Sequence, residues 1–249
     1  MSGLSIDINC DMGEGMDNEA EIMPYISSAN ISCGLHAGNK ESIKKTISLA
    51  LENNVAIGAH PSYDDRANFG RISQTISLLE LAELIAAQYY EFEKIAIPLG
   101  ATIHHVKLHG ALYNDCAKDA AMSKIFTQTI QAIDPSIMIY GLSESQTILQ
   151  CILAFQPYAN EVFADRTYQK DGSLTPRNLS HALIQSEEVV KQQVLKFLLQ
   201  KKVTTLQGVD IPIKADTICI HGDGSQAIAF AKCIYEELKN KNIEIKVPY

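Results

Sequence analysis

Residues 104–114 read HHVKLHGALYN, and three histidines and a lysine fall within the first six positions of this stretch. Successive side chains of a β-strand point to opposite faces. In an extended conformation, one face carries His105, Lys107 and His109, whereas the other carries only aliphatic side chains between them. The stretch therefore predicts a strand with one apolar face and one ionisable face, and we expect His104 to pack on the apolar side.

Short apolar runs of the same kind alternate along the chain with amphipathic helical patterns. The predicted strands are Ser5–Asn9, Ala29–Cys33, Val55–Ala59, Ile103–Lys107, Ile137–Tyr140, Glu161–Phe163 and Thr217–Ile220. Repeated strand–helix units indicate parallel strands joined by right-handed crossovers. We therefore expect one α/β domain over residues 1–249, a seven-stranded parallel (β/α) barrel.

Six of the seven predicted strands run into polar sequence at their C-terminal ends. These sequences are NCDMGEG, CGLHAGN, GAHPSYDD, VKLHGALYN, EVFADR and ICIHGDG. In parallel α/β barrels this end forms the active-site face. Because helices must cover the outside of a barrel, the apolar strand faces point outward and the polar faces point into the lumen. Buried charges there must be paired, which shifts their pKa values and suits acid–base chemistry.

Six residues at these strand ends are the predicted catalytic set. They are Asp11, His36, His60, Lys107, His109 and His221. As a lumen charge, Lys107 would hold a substrate carboxylate or stabilise an oxyanion; a solvated surface lysine is the alternative. His181 lies away from the strand ends and is predicted to be a surface residue.

The chain contains only four arginines, and all four fall in the predicted long loops on the active face. Such placement is typical of bidentate carboxylate or phosphate recognition, with a structural salt bridge as the alternative. The predicted substrate-binding set combines three of these arginines with nearby polar residues. Its members are Asp7, Asn9, Glu14, Arg71, Asp165, Arg166, Arg177 and Asp223.

Metal binding is left open by the sequence. His105 and His109 lie roughly 13 Å apart on an extended strand, too far to share one ion. Residues from different strands can still converge, and the set to consider is Asp11, His36, His60 and His109. A divalent metal is therefore neither required nor excluded.

The net charge of −8 and the pI near 5.4 argue against nucleic acid or an anionic membrane as the main partner. The N-terminus lacks the basic and apolar regions of a signal peptide, so we expect a cytoplasmic protein. The sequence contains neither G-x-x-x-x-G-K-[ST] nor a strand–helix G-x-G-x-x-G. It therefore shows no recognisable nucleotide site of its own.

Several segments together resemble the LamB/YcsF family. They are NCDMGEGMDNEAEIMPYISSANISCGLHAGN, GAHPSYDD, FGR, VKLHGALYN, EVFADRTYQKDGSLTPR and ADTICIHGD, in order and over nearly the whole chain. The family comprises the A subunits of prokaryotic ATP-dependent 5-oxoprolinase, and its fold is a seven-stranded barrel related to polysaccharide deacetylases. The resemblance implies opening of 5-oxo-L-proline to L-glutamate with ATP as co-substrate. It also implies partner subunits B and C, which would bind the ATP and phosphorylate the lactam oxygen.

The resemblance leads to a mechanistic hypothesis. Lys107 or an arginine would hold the substrate carboxylate, and Asp11 or a neighbouring histidine would activate water. His109 or His221 would protonate the ring nitrogen as it leaves.

Two other functions are kept as alternatives: a metal-dependent carbohydrate or amide deacetylase-like hydrolase, and a ligand-binding subunit without chemistry of its own. The chain also departs from the usual family residues at three positions. It has Asn39 in place of Asp, Ser62 in place of Gly and Leu108 in place of Pro. The change at Asn39 removes one carboxylate from the predicted mouth.

Overall fold

The computed structural model describes residues 3–224 and 226–249. Its strands are β1 Ser5–Met12, β2 Ser28–Ser32, β3 Ala56–His60, β4 Ile103–Lys107, β5 Met138–Leu142, β6 Tyr158–Phe163, β7 Lys202–Thr204, β8 Asp210–Pro212, β9 Thr217–Ile220 and β10 Glu244–Ile245. Seven parallel strands, β1 to β6 and then β9, pair in that order, and β9 pairs with β1 to close the barrel. The predicted seven-stranded parallel barrel is confirmed.

Helices cover the outside of the barrel. They are α1 Glu19–Ile22, α2 Lys40–Glu52, α3 Leu78–Ala96, α4 Gly110–Lys118, α5 Ala120–Ile133, α6 Gln146–Ala154, α7 Glu187–Leu195 and α8 Ala227–Asn240. Capping boxes begin α2 at Asn39 and α3 at Ser77. The Asn39 side chain thus accepts the same backbone hydrogen bonds that an aspartate would accept there. Among the described residues, every helix is too short or too polar to cross a lipid bilayer.

Three short strands were not predicted. Strands β7 and β8 form an antiparallel hairpin after α7, and β10 pairs with the first residues of β1 below the barrel. Each has only two or three residues, so no alternation of apolar and polar side chains marks it in the sequence. The predicted ends of the barrel strands differ from the observed ends by up to three residues, whereas β4 and β9 have the predicted bounds.

Strand alternation divides the interior into two layers, as predicted. Ile8, Val106 and Ile218 point outward into the apolar layer beneath the helices and are fully buried. The lumen instead receives buried polar side chains such as Asn30 and Lys107. The barrel therefore has an apolar jacket and a polar interior, which opens at the C-terminal ends of the strands.

Candidate active site

The lower lumen, defined here as Asp7, Asn9, Asn30, His105 and Thr217, is a closed hydrogen-bond network. Asp7 accepts hydrogen bonds from the hydroxyls of Ser27, Ser28 and Thr217 at 2.6 to 2.7 Å. Burial raises the pKa of its carboxyl group, although these hydrogen bonds oppose the rise. We therefore remove Asp7 from the substrate-binding set, because both carboxylate oxygens already have protein partners.

Two asparagines continue this network upward. Asn30 donates to Asn9 Oδ1 at 2.7 Å and to Asp11 Oδ1 at 2.8 Å, and its own carbonyl oxygen lies 2.8 Å from His105 Nε2. Gly58 makes room for His105, since a Cβ atom there would lie 2.2 Å from the imidazole. Asn9 is fully buried, and its amide donates to Thr217. Its place below the mouth also removes it from the substrate-binding set.

Lys107 lies in the lumen, 1% exposed, and not at the surface. Its Nζ lies 2.7 Å from Asp11 Oδ1, 2.9 Å from Glu161 Oε1 and 3.0 Å from Cys219 Sγ. Burial lowers the pKa of Lys107, but the charges of Asp11 and Glu161 outweigh it and hold the pKa well above its usual value. The ammonium is thus charged. It donates hydrogen bonds to Asp11 Oδ1 and Cys219 Sγ and forms an ion pair with Glu161.

Asp11 is held as a carboxylate. Burial alone would raise its pKa, but the charge of Lys107 outweighs this effect and holds the pKa well below the usual value. Asp11 Oδ2 also lies 3.4 Å from His60 Nε2. A carboxylate with such a low pKa is a weak base, so this geometry does not favour Asp11 as the group that activates water.

Beside Asp11, the histidine cluster consists of Glu14, His36, His60 and His109, each buried. One potential ligand atom from each residue lies within 4.8 Å of the others. The rings of His36 and His109 stack with centroids 3.8 Å apart. Burial lowers the pKa of His36 to about 2 and that of His109 well below its usual value, while burial and Asp11 raise the pKa of Glu14.

The cluster changes the predicted metal set. Three of its four members, His36, His60 and His109, do converge. Asp11 is replaced by Glu14, which was predicted to bind substrate; Asp11 instead groups with Cys219 and His221. The sequence could not indicate this exchange, because Glu14 lies in the loop after β1 and its position depends on the course of that loop.

Above the lumen, the mouth is formed by loops that carry His221, Asp165 and three arginines. His221 Nδ1 lies 2.9 Å from both carboxylate oxygens of Asp165, and the His221 ring stacks on Phe163. Burial raises the pKa of Asp165, but His221 and the nearby arginines outweigh it, so the pKa falls below its usual value. Asp165 therefore holds the imidazole in one orientation with Nδ1–H toward the carboxylate.

The arginines at the mouth differ in their partners. Arg71 forms an ion pair with Asp223, and both residues belong to the predicted substrate-binding set. Arg166 donates to the backbone carbonyls of Thr175 and Ala182. Within residues 3–224 and 226–249, no carboxylate lies within 4.0 Å of the guanidinium of Arg166 or Arg177. The fourth arginine, Arg66, binds backbone carbonyls of the β2–α2 loop and takes no part in the mouth.

A cavity of about 560 Å³ occupies the mouth. Its floor includes Asp11, Lys107 and His109, and its walls include Arg166 and Arg177. A neighbouring cavity of about 260 Å³ shares Arg177 and His221 with it. The structure thus brings most of the predicted set to one place, and leaves Asp7 and Asn9 below it.

Two residues of the site were missed by the sequence reasoning. Glu161 lies within a predicted strand, and an acidic residue inside an apolar run was a usable signal for a lumen charge. Tyr113 lines the cavity from the first turns of α4. Its position follows only from the direction in which α4 leaves β4, which the sequence pattern does not give.

Glycines next to two of the histidines serve the packing of neighbouring loops. Gly110 has a φ of +57°, and a Cβ atom there would lie 2.4 Å from Gly70 O. A Cβ atom at Gly222 would lie 2.5 Å from Asp11 O. Both glycines therefore allow backbone to approach backbone, and they hold the loops of His109 and His221 against the rest of the mouth.

A parallel barrel with ionisable side chains gathered at its C-terminal mouth is the architecture of an α/β-barrel enzyme. The chain belongs to the LamB/YcsF family, whose model matches residues 6–249. A relative from Shouchella clausii (strain KSM-K16), named as the A subunit of 5-oxoprolinase, is 46% identical over 247 residues, covering 97% of this chain and 98% of that protein.

Solved structures agree with this assignment. A lactam utilization protein from Thermus thermophilus is 30% identical and has a TM-score of 0.92, covering 98% of this chain and 100% of that one. A family 4 carbohydrate esterase from Streptomyces lividans has a TM-score of 0.52 at 9% identity, covering 98% and 92% of the two chains. The latter similarity concerns the fold alone, and it confirms the relation to deacetylase-like barrels.

Proposed function

We propose that this chain is the A subunit of an ATP-dependent 5-oxoprolinase and that its mouth opens the ring of an activated 5-oxo-L-proline. The relatives that carry the name of the 5-oxoprolinase A subunit support the family role. Partner subunits B and C would bind ATP and phosphorylate the lactam oxygen in the cytoplasm. The lack of a nucleotide-binding motif in this chain is consistent with that division of labour.

The observation that carries the proposal is a mouth cavity lined by two arginines that have no carboxylate partner in the part of the chain that the structure describes. The guanidinium groups of Arg166 and Arg177 line a cavity of about 560 Å³. Burial lowers the pKa of Arg166 to about 10, so that side chain stays protonated at neutral pH. A carboxylate or phosphate ligand would supply the missing counter-charge.

The acid–base group we assign is His221. Asp165 holds its Nδ1, so in the neutral ring Nε2 carries the lone pair. His221 and Arg177 both line the two cavities. A substrate whose carboxylate binds Arg177 would have its lactam within reach of that imidazole. Nε2 would then take a proton from water and return it to the ring nitrogen.

The chemistry requires two water molecules for each phosphorylated lactam. One adds its oxygen to the carbonyl carbon, and the bond from that carbon to the ring nitrogen breaks as the nitrogen takes a proton. The product of this step is an acyl phosphate of glutamate. A second water cleaves the acyl phosphate to L-glutamate and inorganic phosphate, and ATP has become ADP.

In this scheme, Lys107 is a positioning residue. It donates hydrogen bonds to Asp11 and Cys219 and pairs with the charge of Glu161, so it fixes the floor of the cavity and leaves the substrate carboxylate to the arginines. This differs from the sequence hypothesis, which gave Lys107 a direct substrate contact. The buried ion pairs explain why a lysine is found in the interior of the barrel.

The test is reconstitution of this chain with its B and C subunits and measurement of ATP-dependent glutamate formation from 5-oxo-L-proline. We expect His221→Ala to lower kcat by about 10²- to 10⁴-fold, the usual contribution of a general acid–base group. The matched control is His181→Ala, which removes an exposed imidazole and should leave kcat unchanged.

Two results would count against the proposal. If the wild-type complex forms no glutamate with ATP, the proposed function is wrong. If the complex is active and His221→Ala retains full kcat, the function stands and the assignment of His221 is wrong.

A further inference from the structure

We propose that Glu14, His36, His60 and His109 form a binding site for one divalent transition-metal ion. The proposal rests on the orientation of the three imidazoles and on their burial, and it does not depend on the reaction proposed above. The four side chains are between 0% and 8% exposed. They reach the site from the loops after β1 and β2, the end of β3 and the end of β4.

The outer nitrogen of each ring must carry a proton. His60 Nδ1 lies 2.7 Å from the backbone oxygen of Lys107, and His109 Nε2 lies 3.0 Å from that of Phe69. A carbonyl oxygen can only accept, so both ring nitrogens are donors. His36 Nδ1 lies 2.9 Å from Ser62 Oγ, whose own hydrogen goes to Tyr63 O. That nitrogen is therefore a donor too.

The inner nitrogens of the neutral rings consequently carry lone pairs. His60 Nε2 and His109 Nδ1 face each other at 2.9 Å, and His36 Nε2 faces Glu14 Oε1 at 3.1 Å. Two lone pairs at that distance repel unless a cation lies between them. One shared proton can bridge one such pair, but three lone pairs and a carboxylate oxygen converge here. One metal ion would satisfy all four atoms at once, whereas protons would have to bridge the two pairs separately.

The distances fit a small ion. Tetrahedral zinc with nitrogen ligands at about 2.0–2.1 Å places neighbouring ligand atoms about 3.3 Å apart. The observed separations include 2.9 Å between His60 Nε2 and His109 Nδ1, and 3.5 Å between His109 Nδ1 and Glu14 Oε1. Small side-chain shifts would equalise them.

The surroundings of the cluster also match those of known metal sites. Histidine ligands usually donate their second ring N–H to a carbonyl or another acceptor, which fixes the tautomer and the ring orientation. All three rings here do so. Ser62 supplies one of these acceptors. Three nitrogens and one carboxylate oxygen suit zinc and other first-row divalent ions, and disfavour calcium and magnesium.

The cluster borders the mouth, since His109 lines the cavity of about 560 Å³. A bound ion would supply positive charge close to a ligand's carbonyl or phosphoryl oxygen. This would add a second cation to a floor in which Lys107 lies between the carboxylates of Asp11 and Glu161.

The experiment measures metal directly. The full chain is purified without a nickel column, and its metal content is determined by elemental analysis. After chelator treatment and dialysis, Zn²⁺ is titrated by calorimetry and Co²⁺ by visible absorption. We expect about one equivalent of either ion per chain and Co²⁺ bands characteristic of nitrogen and oxygen ligands.

Variants separate this site from surface binding. We expect His60→Ala and His109→Ala each to lower the affinity for Zn²⁺ by at least 100-fold. Glu14→Gln, which keeps the size of the side chain, should weaken binding less and change the Co²⁺ spectrum. His181→Ala is the matched control, and it should bind one equivalent as tightly as wild type. Circular dichroism identifies any variant that has not folded.

Wild-type protein that binds neither ion stoichiometrically would overturn the proposal and leave a shared proton as the explanation of the facing nitrogens. Equal Zn²⁺ affinity in wild type and in folded Glu14→Gln and His60→Ala variants would also overturn it. Because these readouts do not use turnover, their failure is distinct from a failure of the proposed 5-oxoprolinase activity.

Discussion

The lower lumen and the mouth are built from similar polar residues, but their hydrogen bonding differs. In the lower lumen, Asp7, Asn9 and Asn30 bond to neighbouring side chains at 2.6 to 2.8 Å. At the mouth, Arg177 has no carboxylate partner among the described residues, and His221, which Asp165 holds through Nδ1, lines both cavities. The difference separates polar groups that hold the barrel together from polar groups available to a ligand.

This difference follows from the cost of burying polar groups. A group cut off from water costs about 1–3 kcal/mol if it lacks a partner, so a closed interior must pair its polar atoms internally. A group beside a solvent-filled cavity can exchange water for a ligand. Substitutions in the two regions should therefore affect different quantities: the free energy of unfolding in the lumen, and kinetic constants at the mouth.

The largest effect is expected for Lys107→Met, at the boundary between the two regions. It leaves the carboxylates of Asp11 and Glu161 buried without a cation, and breaking a buried pair in this way costs about 3–5 kcal/mol. The measurement is urea denaturation at pH 7 after chelator treatment, so that metal binding does not contribute. Lys94→Met is the matched control; its exposed pair with Glu91 should be worth less than about 1 kcal/mol. Equal losses in both variants would contradict the buried network.

The next effect concerns the mouth. In the reconstituted complex, Arg177→Met should raise the KM for 5-oxo-L-proline by roughly 10- to 100-fold, since a hydrogen bond to a charged group contributes about 1.5–3 kcal/mol. Its free energy of unfolding should stay within about 0.5 kcal/mol of wild type.

Arg66→Met is the control, because that guanidinium binds the backbone carbonyls of Gly34 and Gly38. It should lower stability and leave KM unchanged. An unchanged KM in Arg177→Met would remove Arg177 from the substrate site.

Much of the barrel could be predicted because alternation is a local property. In β4, ionisable and aliphatic side chains alternate from His105 onward, so the side of the strand that faces the lumen could be assigned from this stretch by itself. The same local rule placed Asn9 and Asn30 inside. The rule could not show which of these side chains lie in the lower lumen and which lie at the mouth, because the position of a residue along the barrel axis depends on the register between strands.

The membership of the histidine cluster was not predicted, because it depends on the register between neighbouring strands and on the path of the loop after β1. His60 lies beside Ser32 through the pairing of β2 and β3, and a register irregularity at Ile57 and Gly58 offsets β4 against β3. No feature of the individual strands specifies this offset. Glu14 joins the histidine cluster through the loop after β1. In this loop the backbone N–H of Gly13 donates a hydrogen bond to the Glu19 carboxylate. These long-range contacts determine which side chains meet.

The smallest effect is a pH dependence of stability that arises from Asp7 in the lower lumen. Burial raises the pKa of Asp7, so the folded protein retains this proton to higher pH than the unfolded chain, in which the pKa is about 3.9. The stability contributed by the protonated form is complete below that pH and is lost as the pH rises through the folded pKa. Asp7→Asn cannot ionise and lacks this loss. As the pH rises from 4 to 7, the unfolding free energy of wild type should therefore fall relative to that of Asp7→Asn.

Urea denaturation at several pH values measures this difference, and Asp134→Asn is its control. A hydrogen bond from Ser136 lowers the pKa of the exposed Asp134, so its contribution is present above about pH 4 and is lost only at lower pH. The wild-type and Asp134→Asn curves should therefore stay a constant distance apart between pH 4 and pH 7. If the Asp7→Asn difference is equally constant, Asp7 ionises as freely as a surface carboxylate. The lower lumen would then be open to water, and its contrast with the mouth would disappear.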